Sequence, residues 1–467
     1  MSKDNKSTAK KGTPLSGTGK GLREIGRTFT EGDWTAKLSF VIMGFGQLLH
    51  RQFLRGIIFL AAEIFFIYYM ITFGAGYISK LPTLGTSATY VDKSGNVPVT
   101  IYGDNSFLIL LYGILSLFVL FAFLFLWRVN IRQNRQIYLL KKAGKALPTS
   151  RQDFRSLFTE NFDKTLLALP NIGIFVFIVI PIIFMICIAF TNYDAQHQPP
   201  SNLFGWVGLE NFKNLLSIGG AGFGSTFFTV LGWTLVWAFF ATFLNYFLGM
   251  GVAILINKKG IRFKKLWRTI LVMTIAIPQF VSLLYVYKLF ANDGLVNAYL
   301  LKWGLIDSYI PFWSNVAIAR VLIIVINLWV GIPPTMLMAT GILMNIPEDL
   351  YESARIDGAN AFQMFRSITL PYMLFVTGPY LLTAFTGNLN NFNVIFLLTQ
   401  GNPLSMDLAG GAGYTDLLIT WLYKLTVNDT NYRMAAVIGI MVFAVTAVIS
   451  LVVYRLLPSV RDEEGFQ

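Results

Sequence analysis

Long apolar runs separated by short polar loops set the pattern of this chain. Eight runs are long enough to cross a hydrocarbon core, near Gly56–Ile78, Phe107–Trp127, Thr165–Phe190, Thr226–Ile256, Thr269–Ala291, Val316–Leu343, Tyr372–Thr399 and Tyr432–Leu457. Unbroken runs of this length predict helices, so the expected fold is all-α and polytopic, with about eight transmembrane helices. The run from Thr226 to Ile256 exceeds the roughly 20 residues a span needs and should tilt or extend into water. Ahead of the first run, Trp34 to Phe53 interleaves apolar residues with Lys37, Gln47, His50 and Arg51, which predicts a helix lying in the interface. Residues 1–32 are rich in Lys, Ser, Thr and Gly and predict a disordered basic tail.

The segment Asn345–Pro371 is a polar, helix-friendly insert between two apolar runs and must sit at a membrane surface. Pro347 suits a first helical turn, and Glu348, Asp349 and Glu352 put negative charge where the helix dipole favours it. Asp357 and Gly358 read as a stop and turn. Asn360 can cap a second short helix running to Ile368, before Leu370 and Pro371 open the next run. The expected product is a compact knob. Ala354, Gly358 and Ala359 leave its surface almost without side chains, so another protein can approach the backbone there.

Composition agrees with a membrane protein: the 467 residues are 55% hydrophobic and 13% charged, with mean hydropathy +0.58. A net charge of +13 would suggest nucleic acid in a soluble protein, so where the cations fall decides its meaning. With the N-terminus inside, segments 1–55, 128–164, 257–268, 344–371 and 458–467 are cytoplasmic and hold 28 Lys and Arg, against 5 in the outer loops. The positive-inside rule therefore places both termini and the knob in the cytoplasm and removes the reason to expect nucleic acid. The first run follows more than thirty polar and basic residues and has no cleavage-type flank, so a cleaved signal peptide is not expected.

Candidate chemistry is sparse. Glu63, Lys288 and Arg320 fall within spans; the two cations lie near outer ends where they can snorkel, and Glu63 is expected to bond a neighbouring helix. His50 and His197 have no partners at metal-ligand spacing, and the lone Cys187 cannot form an intramolecular disulfide. Gly17 to Lys20 reads Gly-Thr-Gly-Lys, but the leading glycine and following Ser or Thr of a phosphate loop are missing. No nucleotide, metal or catalytic site is expected in this chain.

Two stretches are costly in hydrocarbon. Asn327 to Pro334 is expected to interrupt the sixth run, and Thr386 to Asn393 ends the seventh with clustered asparagines. Prolines free carbonyls and amides demand partners, so both should line a watered cavity. Amides without fixed charge suit the hydroxyls of a neutral sugar, and Trp329 or Phe392 can cover its apolar face. Hydrogen bonding between spans is the other use of such residues.

The knob sequence Glu352-Ser353-Ala354, Gly358, then Ile368, Leu370 and Pro371 resembles the EAA loop of ABC importer permease subunits, with Ser353 in place of the usual second alanine. That resemblance implies that Glu352, Ser353, Ala354, Gly358 and Ala359 meet a cytoplasmic ATPase subunit. From about Thr165 to Leu457 the chain is similar to the larger permease subunit of maltose/maltodextrin importers, of the type found in Gram-positive bacteria, at Gly331 to Pro334, Asn388 to Phe392 and Ala412 to Leu418. The resemblance implies sugar contacts at Asn388, Asn391 and Gly331, with Asn390 and Pro334 beside them. The sequence departs at Pro334 and Gly387, where the family's best-known member has a tyrosine and a phenylalanine, so the resemblance implies no ring-stacking contacts at these two positions. The loop from Ile78 to Phe107 is too short for that member's extra extracellular domain.

The expected organisation is a tail at 1–32, an interfacial helix with two spans and a basic loop at 33–164, and a six-span permease core at 165–467 carrying the 345–371 coupling loop. The resemblance implies a second permease subunit as heterodimer partner, two ATPase subunits holding ATP and magnesium, an extracellular sugar-binding protein, and a neutral oligosaccharide as cargo. The rival reading is an ion-coupled secondary transporter of a neutral solute, which would need an ion site among broken helices. A membrane enzyme would need a constellation of reactive groups that the sequence does not display.

Overall fold

The structure is a computed structural model and describes residues 25–94, 97–217, 222–258 and 260–456. Among the described residues, seven helices are long and apolar enough to cross a membrane: Phe53–Lys80, Ser106–Lys142, Phe162–Ile188, Phe223–Asn257, Val316–Leu343, Ala361–Leu398 and Tyr432–Leu456. The bent pair Lys264–Ala276 and Gln279–Leu289, counted as one span, brings the number to eight. The eight expected runs are therefore all helical. The fifth differs in shape, turning by 92° where Ile277 is extended ahead of Pro278, as the residue before a proline prefers.

The chain divides into two compact units, one formed by residues up to Cys187 with His197–Trp206, the other by Ile188–Gln196 and the chain from Val207. In the first unit, the stretch expected as one interfacial helix is two single turns, Trp34–Leu38 and Phe45–Leu49. Gly44 bends the chain between them at φ +82°, and a Cβ there would lie 2.2 Å from the Gly56 carbonyl oxygen. A buried amide network holds this bend, which is why a continuous amphipathic helix does not form. Asn130 Oδ1 accepts from the Gly44 N–H (3.1 Å) and Gln47 Nε2 (3.0 Å), while Asn130 Nδ2 donates to the Ser39 carbonyl at 2.9 Å. Glu63 accepts the Met43 N–H at 2.8 Å, so its partner is this turn. Residues 25–31, expected within the disordered tail, are helical; 1–24 and 457–467 lie outside the described residues. A small antiparallel hairpin, Tyr90–Asp92 with Val99–Ile101, follows the first span.

In the second unit two apolar clusters stack along the fourth, sixth and seventh spans. One contains Trp233, Trp237, Ala241, Ile323, Ile326, Val394 and Ile395. The other contains Tyr246, Met250, Ala253, Met336, Ala339, Met373 and Leu381. The expected interruption of the sixth span is absent: Val316–Leu343 is one helix containing Pro333 and Pro334. Its neighbour, the fourth span, packs tightly beside it and supports it through that stretch. Thr335 Oγ1 reaches the carbonyls of Gly331 (2.8 Å), Ile332 (2.9 Å) and, across the interface, Asn245 (3.1 Å).

Four π-helical turns occur among the described residues, at Met70–Gly74, Phe175–Val179, Phe240–Leu244 and Phe365–Thr369. The second and fourth immediately precede helices with proline at their second position, Pro181 and Pro371, where a missing N–H and a bulky ring disturb the ordinary ladder.

The loop after the seventh span, 399–417, is tied down at many points. Fully buried Asp416 accepts from Lys424 Nζ (2.6 Å), the Gly413 N–H (2.7 Å) and the Thr420 hydroxyl (2.8 Å). Burial pushes its carboxyl up from the ordinary value, and the Lys424 ammonium opposes that. Trp233 donates to Thr415 O at 3.1 Å, Arg320 to Tyr414 O at 2.7 Å, and the Ala409 N–H to Thr226 Oγ1 at 2.8 Å. Arg320 thus does not simply snorkel; its guanidinium also sits 4.6 Å over the Trp233 ring.

Candidate functional site

A polar layer lies between the two apolar clusters. On the fourth span it is Thr242 and Asn245, which follow Ala241 of one cluster and precede Tyr246 of the other. On the sixth it is Asn327, Gly331 and Thr335, between Ile326 and Met336; on the seventh it is Asn388 and Asn391, between Leu381 and Val394. Side chains that hydrocarbon would not tolerate are gathered where the helices face one another.

The structure brings Asn388 and Asn391 together. Asn391 Nδ2 donates to Asn388 Oδ1 at 3.3 Å, and Asn388 Nδ2 donates to the buried Thr242 hydroxyl at 3.0 Å. The sequence does break here as expected: Leu370–Leu389 ends, and Asn391 Oδ1 caps the next helix, Phe392–Leu398, by accepting the Val394 N–H at 3.3 Å. Trp237 Nε1 holds the Asn388 carbonyl at 3.2 Å. Each amide has two N–H hydrogens, so these bonds use one donor on each of Asn388 and Asn391. Asn390 points elsewhere, is exposed, and bonds the Thr386 carbonyl at 3.3 Å.

Gly331 is placed differently. A Cβ on it would lie 2.1 Å from Asn245 Nδ2, and one on Gly249 would lie 2.1 Å from Thr335 Oγ1. Paired glycines thus let the fourth and sixth spans cross closely, each making room for the other's polar side chain. Asn245 donates to the Ala241 carbonyl at 2.7 Å, and its buried Oδ1 has no partner. Pro334 and Trp329 are exposed on the same helix. Among the described residues no hydrogen bond joins Gly331 or Pro334 to Asn388 or Asn391, and no ionisable side chain bonds either asparagine. Thr242, Asn245 and Trp237 were not singled out by sequence; a polar residue inside so apolar a run was the available signal. Among the described residues no three His, Cys, Asp or Glu side chains gather as a metal site requires.

The knob forms as two helices about a glycine. Glu348–Ile356 starts after Pro347 and ends at Asp357, and Gly358 turns the chain at φ +79°. The Ala359 N–H closes the end on the Ala354 carbonyl at 2.9 Å. Asn360 and Gln363 then form a reciprocal capping box at 2.9 and 2.8 Å. The helix it starts continues through the π-turn into the seventh span rather than stopping at Ile368. Tyr351 and Thr369 join the halves, their hydroxyls 2.8 Å apart. Glu352, Ser353 and Gly358 are exposed, and Ala354 and Ala359 half-buried. Flanking them are Ile356 at 86% and Phe362 at 69% exposure, two exposed apolar side chains that sequence reading passed over.

Three comparisons bear on identity. The galactooligosaccharides transport system permease protein GanP of Bacillus subtilis is 36% identical over 92% of this chain and 98% of its own length. The maltodextrin transport system permease protein MdxF of the same organism is 34% identical over 94% and 98%. The maltose/maltodextrin transport system permease protein MalF of Escherichia coli is 32% identical over 53% of this chain and 48% of its own. In structure, a chain of a bacterial ABC transporter involved in the import of the acidic polysaccharide alginate superposes with TM-score 0.53 at 22% identity, covering 66% of this chain and 99% of that one, which shows a shared fold. Residues 245–462, which hold Asn245, Gly331, the knob and both asparagines, match the family of binding-protein-dependent transport system inner membrane components. With two relatives above 30% identity along nearly its whole length, this multi-pass membrane chain belongs to that family.

Proposed function

We propose that the chain is a permease subunit of an ATP-driven importer for a neutral oligosaccharide, with maltodextrin as the first candidate. Resemblance to maltodextrin and galactooligosaccharide permeases along more than nine-tenths of the chain carries the reading. The charge-free amide layer supports a neutral cargo: the remaining N–H donors of Asn388 and Asn391 match sugar hydroxyls and offer no counter-ion to a carboxylate or phosphate. In this reading both termini and the knob are cytoplasmic, as the distribution of Lys and Arg favours. A second permease completes the path, two ATPase subunits hold ATP and magnesium, and a sugar-loaded extracellular binding protein docks on the outer loops. Exposed Ile356 and Phe362 seat the knob on an ATPase while Gly358 lets the backbones approach. ATPase closure then moves the knob, and the seventh span carries that movement to the asparagines.

The test is reconstitution in liposomes with and without these partners. Maltodextrin uptake should require ATP, the ATPase and the binding protein, and should ignore an imposed ion gradient. Uptake by this chain alone, driven by an ion gradient, would overturn the reading in favour of a secondary transporter.

A further inference from the structure

Two helix ends in the first unit close in the same way and line one concavity. The helix Ser106–Lys142 closes on Gly144 at φ +66°, with the Lys145 N–H donating to the Leu140 carbonyl and the Gly144 N–H to the Lys141 carbonyl, both at 3.0 Å. The turn Phe45–Leu49 closes on Arg51 at φ +60°, with the Gln52 N–H donating to the Gln47 carbonyl at 2.9 Å and the Arg51 N–H to the Leu48 carbonyl at 3.1 Å. Both have the bonding of the helix-ending motif that calls for a left-handed residue, a place that glycine fills without strain. Gly144 follows that rule. Arg51 breaks it, so the backbone is held in a disfavoured conformation at an arginine.

No contact of the side chain offsets that strain. Among the described residues the Arg51 guanidinium has no hydrogen bond or ion pair, and neither have the ammonium groups of Lys141 and Lys145. These three side chains, with His50, Leu49 and Leu147, line a concavity of about 520 Å³ that has no acidic residue in its wall. His50 Nδ1 is buried without a partner. An exposed cation needs no partner in water, so three free cations alone would be an ordinary solvated surface. A strained backbone that sets one of them in the same wall as the other two is not ordinary, and strain of this kind is concentrated at functional sites.

The level and the charge of the concavity select its occupant. From Trp127, the last residue of the apolar run, the helix rises about 20 Å to Lys141, whereas the headgroup layer on one side of a bilayer is about 5–8 Å thick. The site therefore faces water beyond the lipid. The carbonyls of Leu139, Leu140 and Lys141 are already bonded, so the helix end adds little negative charge of its own. A surplus of three positive charges exceeds what a carboxylate or a phosphodiester supplies, while a phosphate monoester carries about −1.5 to −2 at neutral pH.

We propose that this concavity binds a soluble phosphate monoester, the class to which phosphorylated metabolites belong. The planar fork of Arg51 takes two phosphate oxygens, Lys141 and Lys145 act on the group as point charges, and Leu49 and Leu147 receive an apolar part of the ester. The site depends on the chain lying in a membrane and not on the identity of the cargo.

The experiment uses the full chain purified in a phosphorus-free detergent and titrated with phenyl phosphate, whose binding is followed by phosphorus NMR at physiological salt. The signal should shift saturably. Benzenesulfonate, a monoanion of similar shape, should compete at least tenfold less well, and phosphatidylglycerol at the same phosphorus concentration should not displace the probe. Arg51→Gln and Lys141→Gln should each weaken binding about tenfold, the loss expected for one charge-assisted hydrogen bond. Arg51→Gly should weaken it as much while folding normally, because glycine suits the left-handed backbone. Lys142→Gln removes a cation next in sequence but outside the concavity and should change binding less than twofold. Absence of saturable binding, equal competition by benzenesulfonate, or undiminished binding by the Arg51→Gly/Lys141→Gln double variant overturns the proposal. Displacement by phosphatidylglycerol overturns it too, by assigning the concavity to a lipid headgroup.

Discussion

Gly331→Ala tests whether this glycine is present for packing against Asn245. The added methyl would lie 2.1 Å from Asn245 Nδ2 and 2.3 Å from its Cγ, far inside van der Waals contact, so the amide has to leave. Leaving breaks its bond to the Ala241 carbonyl and crowds a well-packed crossing. An unsatisfied buried amide costs about 1–3 kcal/mol and overpacking about as much, while alanine regains about 1 kcal/mol of helix propensity. The net expectation is a loss of about 1–5 kcal/mol. Asn245→Ala should be nearly neutral, because it removes one local hydrogen bond together with an orphaned buried oxygen. The double variant should recover most of what Gly331→Ala loses, a coupling of at least about 1 kcal/mol. Denaturation of the purified chain in mild detergent measures all four proteins, and oligosaccharide uptake by the reconstituted transporter is measured alongside. If Gly331→Ala is as stable as the parent, or if the two losses simply add, the packing argument fails. Recovery of stability without recovery of uptake would assign Gly331 a separate role at the cargo.

Three further outcomes are expected. Asn391→Ala should lower uptake and also cost about 1 kcal/mol through loss of the cap on Phe392–Leu398, whereas Asn391→Ser keeps the cap and should lower uptake alone; unchanged uptake in both removes Asn391 from the cargo path. Gly358→Leu should reach the membrane normally, since a Cβ there meets nothing within 4 Å and the φ of +79° costs only about 1–2 kcal/mol, yet it should lose co-purifying ATPase; normal co-purification with normal uptake would refute the knob assignment. Lys424→Met strands Asp416 and should cost about 3–5 kcal/mol at neutral pH. Since burial raises this carboxyl's folded pKa above its ordinary 3.8, its contribution is fully present below that value and is lost as pH rises through the folded pKa, so the variant should be rescued by acid; greater instability in acid than in neutral buffer would contradict this.

The spans and the knob were legible because their signals are local: twenty apolar residues, a proline start, a glycine stop, an asparagine cap. The amide layer was half legible. Clustered asparagines announce themselves, but Asn388 is tied to Thr242, 146 positions away, and Gly331 to Asn245 on another span, which no window along the chain can reveal. The same limit explains the errors. Pro333 and Pro334 read as a break, yet the helix runs through them because a close neighbour supports it. Trp34 to Phe53 has the pattern of a surface helix, but Asn130, roughly ninety positions on, provides the amide that folds it into a turn. Ile356 and Phe362 were overlooked because exposure is not a property of sequence.

The knotted loop at 399–417 bears on recognition. Ordering a backbone costs about 1–2 kcal/mol per residue, so even ten mobile residues would set on the order of 10–20 kcal/mol against any partner that had to fix them. Here Asp416, Thr415, Tyr414 and Ala409 are already held by Lys424, Trp233, Arg320 and Thr226. A protein meeting this face encounters a finished relief, and most of the contact energy goes into affinity. The loop is also fastened to the fourth and sixth spans through Thr226, Trp233 and Arg320. Any rearrangement that parts those helices must therefore strain or reshape the loop as well.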